Sequence, residues 1–200
     1  MTARSSALLI TGYEYMKVLR ARELFIAFGE QPYPESVAVP LWWAIFYSKY
    51  TPNEEKASKM YNMAIKAAED EGLEKTSNEV LGIMTAFAQM LEDNNHLSQA
   101  LMIYERATAA ILAQILSNDE KALNEAERPR LAKRLVRMFI KLSDLYERPE
   151  LVNHHNRLVA LQNAAGLALA EKARQVERGV EDQEALPDEE IGATLEGTSI

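Results

Sequence analysis

The chain is predicted to be an all-α array of antiparallel helical hairpins, and three observations predict it. Apolar residues recur at helical spacing almost throughout, with only eight glycines in 200 residues and no convincing two-residue alternation. Three capping-box patterns, Thr51-Pro-Asn-Glu54, Thr76-Ser-Asn-Glu79 and Ser117-Asn-Asp-Glu120, punctuate it where helices should begin. One small–aromatic–small motif occurs twice, as Ala57-x3-Tyr61-x2-Ala64 and Ala100-x3-Tyr104-x2-Ala107, at an offset of 43.

Composition bounds what such an array can do. Hydrophobic content of 48% with 26% charge is that of a folded chain with a real core. A net charge of -8 repels nucleic acid and anionic lipid on average, so the expected partners are proteins, with no nucleic acid and no membrane contact from this part. The absence of cysteine rules out disulfides, Cys-ligated metals and thiol catalysis. No apolar run is long enough to span a bilayer, and the first residues are too polar for a signal peptide. Because the last residues read as a helix that stops short, the sequence is expected to belong to a longer protein, with a targeting segment or anchor upstream.

Taken in order, helices are predicted over roughly 5–28, 39–50, 53–71, 77–93, 96–116, 129–147, 150–177 and from 188 onward. Leu8, Tyr15, Leu19 and Ile26 give the first a single apolar stripe. The three prolines of residues 29–40 predict a loop, with Pro40 opening the next helix. Pro129, Pro149 and Pro187 are read the same way, and Pro52 falls in a first turn. Short turns such as Asp93-Asn-Asn95 make neighbouring helices antiparallel. Residues 178–190 form an acidic linker. The organisation expected is one structural domain: 1–38 as a capping helix and Pro-rich loop packed on the array, 39–177 as three hairpins, and 178–200 as the linker and start of a further repeat.

The repeated motif has a physical purpose: two alanines on one face allow helices to approach closely, and the aromatic fills the gap between hairpins. It resembles the second half of the tetratricopeptide (TPR) signature. The first half is kept in Phe139-x2-Leu142-Ser143-x2-Tyr146 and, more loosely, in Met84-x2-Phe87-Ala88-x2-Leu91. In both complete repeats the alanine of the second helix follows the small or apolar residue of the first by twelve (Ile45 to Ala57, Ala88 to Ala100), as a TPR requires. The fold class is thus a TPR-like superhelix of antiparallel helical hairpins with an N-terminal capping helix. The 43-residue offset exceeds the usual TPR length, and no Ala-x3-Tyr-x2-Ala follows Pro149, so the register of the third hairpin stays open.

Residues 39–148 resemble one TPR group more narrowly, the fungal TPR adaptor subunit of the mitochondrial inner-membrane i-AAA protease. The likeness rests on Ser77, Glu79, Val80, Gly82 and Ile83 after an acidic, Gly-ending helix, and on Lys141, Leu142, Leu145 and Tyr146 after an Arg-rich stretch. "PDEEIGATLEG" resembles the start of that family's next repeat, and about two thirds of the chain is covered. The resemblance implies a non-enzymatic adaptor that delivers unfolded or misassembled proteins to the protease, its TPR domain facing the intermembrane space. Alternatives are a TPR assembly factor for a respiratory complex and, from another class, a helical enzyme subunit.

Catalytic, metal-binding and cofactor-binding residues are not expected. His154 and His155 are adjacent, about 100° apart on a helix, and cannot share one ion. His96 sits in a turn, and no phosphate loop, His-Glu-x-x-His or nucleophile elbow occurs. Paired carboxylates such as Glu54-Glu55 are first-turn charges favoured by the helix dipole.

The candidate site is a partner-binding groove. In the TPR register Leu41, Ala44, Ile45 and Ser48 face the partner helix, which leaves Trp42, Phe46 and Tyr50 on a line of their own with Trp43 and Tyr47 beside it. Either the first helix folds over these rings, or they line the groove as anchors for an apolar peptide. The same register places Thr85, Gln89, Glu92 and Asp93, then Arg137, Asp144, Glu147 and Arg148, on the groove side, where the plain alternative is an ordinary solvated face. Trp42 and Phe46 occupy two positions at which a chaperone-tail clamp needs polar or cationic residues, so that clamp is not expected. The scattered methionines are read as core filling.

Overall fold

A computed structural model describes residues 33–117 and 127–178. The predicted first helix, most of the box at Ser117–Glu120, Pro187, the linker beyond 178 and the helix from 188 lie outside them. Among the described residues there are six α-helices and no strand: α1 Glu35–Lys49, α2 Glu54–Asp70, α3 Asn78–Asp93, α4 Leu97–Leu116, α5 Glu127–Glu147 and α6 His154–Arg178. They fall into two compact units, Met1–Glu74 with α1 and α2, and Lys75–Ile200 with α3 to α6. Within the first, α1 packs on α2; within the second, α3 packs on α4, α4 on α5 and α5 on α6. These are TPR-like helical hairpins.

Several helix ends differ from the prediction, and in each case the backbone's hydrogen-bonding needs explain why. Helix α1 begins at Glu35, because the Pro34 carbonyl accepts from the Val37 and Ala38 N–H groups at 2.9 Å. Pro40 therefore lies inside the helix and does not open it. An interior proline costs about 3 kcal/mol in an isolated helix; burial of Val37, Pro40 and Leu41 on one face offsets it here. The Thr51 box does not form. Asn53 caps α2 by accepting from the Lys56 N–H at 3.0 Å, while the Thr51 hydroxyl has no hydrogen-bond partner among the described residues. In the second box the cap is Ser77, one residue beyond Thr76, accepting from the Val80 N–H at 3.2 Å. Pro149 sits in a turn, and α6 starts only after Asn153, whose side chain accepts from the Asn156 N–H at 3.0 Å. Asparagine and serine win because their short side chains reach the orphan N–H two or three residues on. Pro129 does fall in the first turn of α5.

Two helices end alike. After α2, Gly72 adopts φ 71°, and the N–H groups of Gly72 and Leu73 close on the carbonyls of Glu69 and Ala68. After α3, Asn95 adopts φ 63°, and those of Asn95 and His96 close on Glu92 and Leu91. Both are Schellman motifs, which need a residue that tolerates left-handed backbone. They reverse the chain in a few residues and so make each pair antiparallel.

The motif residues are the packing residues. Ala57, Tyr61 and Ala64 are buried, as are Ala100, Tyr104 and Ala107. The structure also settles the register of the third hairpin. In α2 and α4 burial continues through Ile65 and Ala68 and through Thr108 and Ile111; in α6 the same spacing is met by Leu161, Ala164, Ala165 and Ala168. Leu161 therefore stands where Tyr61 and Tyr104 stand, and Arg157 stands where Ala57 and Ala100 stand. The caps agree, since Asn53, His96 and Asn153 each lie four residues before that position. On the facing helices Leu41, Met84 and Phe139 are buried, followed at the same spacing by Ala44, Phe87 and Leu142.

A polar latch recurs beside this apolar register. Glu71, Gln114 and Glu171 occupy one repeat position, each fourteen residues after Ala57, Ala100 and Arg157. The Ser36 hydroxyl donates to the Glu71 carboxylate at 2.7 Å, Thr76 donates to the side chain of Gln114, and Arg128 lies 3.8 Å from Glu171. Each ties the later part of a second helix to the start of its first helix. Arg128 also donates to the Ile115 carbonyl at 3.3 Å, one of the carbonyls that the end of α4 leaves without an intrahelical donor.

Helices α4 and α5 are joined by the Tyr146 hydroxyl, which donates to the Glu105 carboxylate. Burial first, then this hydrogen bond and the carboxylate's charge, push the phenol up to about 12. The folded state therefore keeps this proton to higher pH than the unfolded chain, where tyrosine titrates near 10. The interaction is complete below about pH 10 and is lost between about 10 and 12. Tyr146→Phe is expected to cost about 1 kcal/mol at neutral pH, and urea melts across that alkaline range should show a shallower loss of stability than in the wild-type chain. The caps give a second test: Asn53→Ala should cost about 1 kcal/mol in chemical denaturation, whereas Thr51→Val should not destabilise, because its hydroxyl makes no cap.

Candidate functional site

Two surfaces, one in each unit, hold part of the predicted set. In the first, α1 carries two aromatic ladders. Trp42 stacks on Phe46 with ring centroids 5.6 Å apart, and Phe46 on Tyr50 at 6.2 Å. Beside them Trp43 stacks on Tyr47 at 5.6 Å, and Lys56 from α2 places its Nζ 5.3 Å from the Tyr47 ring centre. Four-residue spacing on a helix puts successive rings one above another, so the ladders follow from sequence. Their exposure does not. Trp42, Trp43 and Tyr47 are half-buried and Tyr50 is 41% exposed, but Phe46 is only 6% exposed. The accessible rings of this ladder are Trp42 and Tyr50, and Phe46 is the buried ring stacked between them. Leu41 and Ala44 are buried, whereas Ile45 and Ser48 are half-buried. Tyr61 is hydrogen-bonded to Ser48, and burial raises its phenol above the usual range.

In the second unit a groove of about 580 Å³ opens between α3 and α5. Asn78, Thr85 and Gln89 of α3 form one wall, and Arg130, Lys133, Arg134, Arg137 and Lys141 of α5 form the other. Tyr104 of α4 and Met138 of α5, both buried, close the bottom. The cationic wall is a single stripe, because residues three, four, seven and eleven positions along a helix share a face. Arg130 and Arg137 are exposed, and Lys133, Arg134 and Lys141 are half-buried.

One ion pair anchors the groove. Lys141 lies 2.9 Å from the Glu92 carboxylate, whose side chain is 9% exposed, and its Nζ sits 6.0 Å from the ring centre of Tyr104. Burial, and then the carboxylates of Glu92 and Asp93, raise the Tyr104 phenol well above the usual range, so it remains a neutral donor at any physiological pH. Farther along, Arg134 Nη1 lies 3.4 Å from the Asn78 side-chain oxygen.

Of the residues expected on the groove side, Thr85, Gln89 and Arg137 line the groove. The Thr85 hydroxyl donates to the Leu81 carbonyl at 2.7 Å, and the Gln89 amide donates to Asp93 at 2.9 Å. Glu92 serves as the partner of Lys141. Asp144, Glu147 and Arg148 do not line it. Glu147 pairs with Arg157 of α6 at 3.5 Å. Burial first and the Glu147 charge next hold the Asp144 carboxyl above its usual range, against the pull of Lys141, Arg148 and Arg157. Sequence reasoning missed Asn78, Tyr104, Arg130, Lys133, Arg134, Met138 and Lys141 as groove residues. For the cations the signal was present: from Arg128 to Ser143 there are six basic residues and no acidic one.

Among the described residues no group of three or more His, Cys, Asp or Glu side chains could hold a metal ion. No helix among them is long and apolar enough to cross a membrane.

No known protein-family signature matches the chain, and no curated protein sequence does. Solved structures do. The crystal structure of BtubC (BKLC) from P. vanneervenii superposes with a TM-score of 0.52 at 17% identity, over 88% of this chain and 63% of that one. The chain thus spans less than two thirds of that protein. The putative kinesin light chain with nearly identical TPR-like repeats from Podospora anserina aligns over 98% of this chain and 96% of that one, with 15% identity and a TM-score of 0.37. At 17% identity, the likeness to BtubC is one of fold.

Lys141→Ala is expected to destabilise the second unit by about 1–3 kcal/mol, because it leaves the Glu92 carboxylate without its cation. Arg137→Ala, on an exposed residue, should change stability by no more than about 0.5 kcal/mol. Urea denaturation of the two variants compares them directly.

Proposed function

We propose that the chain is a non-enzymatic protein–protein adaptor whose repeats hold extended segments of other proteins. The observation that carries this reading is the groove between α3 and α5, which is open and walled by side chains from two successive first helices. Those walls run along the helices, so they suit an extended chain better than a compact metabolite. The half-exposed rings of α1 supply a second, apolar contact of the kind that anchors peptides: Trp42 and Tyr50, with Phe46 behind them. The TPR-like fold supports the same reading, since repeat arrays offer long surfaces and leave chemistry to their partners.

At finer grain, the adaptor serves an i-AAA protease of the mitochondrial inner membrane from the intermembrane-space side. It receives unfolded or misassembled clients and hands them on. This rests on the likeness of residues 39–148 to that protease's fungal TPR subunit, carried by Ser77, Glu79, Val80, Gly82 and Ile83 and by Lys141, Leu142, Leu145 and Tyr146. Client recognition must then be permissive, with modest affinity and more than one kind of contact.

Tryptophan emission reads the aromatic contact directly, since both tryptophans are on α1. Adding a reduced, carboxymethylated client should shift the emission, and Trp42→Ala should weaken binding by about tenfold. Unchanged emission together with normal binding by Trp42→Ala would remove the α1 face from the site. Crosslinking of the full-length protein in mitochondria should recover the protease; recovery of one folded respiratory-complex subunit instead would favour an assembly factor.

A further inference from the structure

We infer that the groove between α3 and α5 is selective for acidic segments, and that its occupant is an extended stretch of a partner protein rich in Asp and Glu. This rests on the adaptor reading and adds the chemical class of the ligand. The chain as a whole carries -8, yet the α5 wall presents Arg130, Lys133, Arg134, Arg137 and Lys141 without an acidic residue between them. Concentrating positive charge in a cleft of a negative protein is not what a merely solvated face requires. A cleft with low-dielectric walls focuses the field of the charges that line it.

Dimensions agree with a peptide. From Arg130 to Lys141 the wall is about 16 Å long at 1.5 Å per residue. An extended chain rises about 3.3 Å per residue, so about five residues fit, with alternate side chains facing α5. Acids at alternate positions of the ligand would meet the stripe from Arg130 to Arg137. The opposite wall supplies neutral groups suited to a peptide backbone: the Asn78 and Gln89 amides and the Thr85 hydroxyl. Arginine is the residue that pairs carboxylates through two parallel hydrogen bonds, and three of the five cations are arginine. Lys141 is held by Glu92, so it closes one end of the stripe, and the exposed Arg130 and Arg137 are the points a ligand meets first. A nucleic acid offers the same sign of charge, but the net -8 of the chain repels a long polyanion while a short acidic segment meets only the cleft.

The test uses the full chain and a fluorescein-labelled peptide of about ten residues in which Glu and Asp alternate with Ser, with a Gln-for-acid peptide as its neutral counterpart. Anisotropy should show binding of the acidic peptide, weakened about tenfold or more between about 0.05 and 0.5 M salt. Arg130→Glu/Arg137→Glu should weaken it by about tenfold or more, while Arg130→Lys/Arg137→Lys retains most of it. Lys59→Glu/Lys66→Glu, which makes the same charge change on exposed residues of α2, should leave it unaltered. Thermal melts followed by circular dichroism show whether each variant is folded, and the conservative pair keeps the test decisive if the reversal is not. Equal binding of acidic and neutral peptides overturns the inference, as does indifference of the folded reversal variant. Tighter binding of a single-stranded oligonucleotide of the same charge overturns it as well. If the acidic peptide fails while a carboxymethylated client still binds, the charge selectivity falls and the adaptor reading stands. Failure of both removes both.

Discussion

Close approach between paired helices is the constraint on which the rest of this structure depends. Ala57 and Ala64 in one hairpin, and Ala100 and Ala107 in the next, leave room for the facing helix, and Tyr61 and Tyr104 fill the space between. In α6 the same geometry is reached with Leu161, Ala164 and Ala168, so the requirement is for volume and not for one residue type. Arg157 in place of the first alanine is tolerated because it is only half-buried and reaches Glu147 on α5. Once the apolar register is set, other contacts follow from it. The Glu71, Gln114 and Glu171 latches fall at one repeat position because the register brings that position beside the start of each first helix.

That arrangement also determines which side chains are left outside the helix pairs. First helices offer one face to their second helix and keep another. On α3 and α5 the remaining faces look across the groove, polar on one side and cationic on the other. On α1 the remaining face is aromatic, and its rings stack on one another every four residues. The same helical geometry thus yields two surfaces of different chemistry, one aromatic and one with a cationic wall.

Much of the fold was legible in the sequence, and the errors were local. Helix existence and pairing followed from periodicity, the Ala-x3-Tyr-x2-Ala motif and short turns such as Asp93-Asn-Asn95. Helix starts were misplaced at Pro40 and Pro149 and the capping residue at Thr51 and Thr76, because several residues near each end could satisfy the orphan N–H groups. Only local backbone geometry selects Asn53, Ser77 and Asn153 among them. Of the candidate site, Thr85, Gln89 and Arg137 were found from register, but the weight of the groove lies in Arg130, Lys133, Arg134 and Lys141. Averaging charge over the whole chain hid these residues, although their spacing along α5 was visible.

What the sequence determined by itself is the repeating unit: helical period, tight reversals, and the small residues that let helices meet. These are encoded within a few turns of chain, so neighbouring residues carry the information. Only the tertiary structure decided the register of the third hairpin, the burial of Phe46 beside the more exposed Tyr50, and the pairing of Lys141 with Glu92. Each of those depends on residues far apart in the chain meeting across a packed interface. The cationic stripe lies between the two cases. Its spacing is a property of one helix, but it becomes the wall of a groove only because α3 and Tyr104 of α4 stand opposite it.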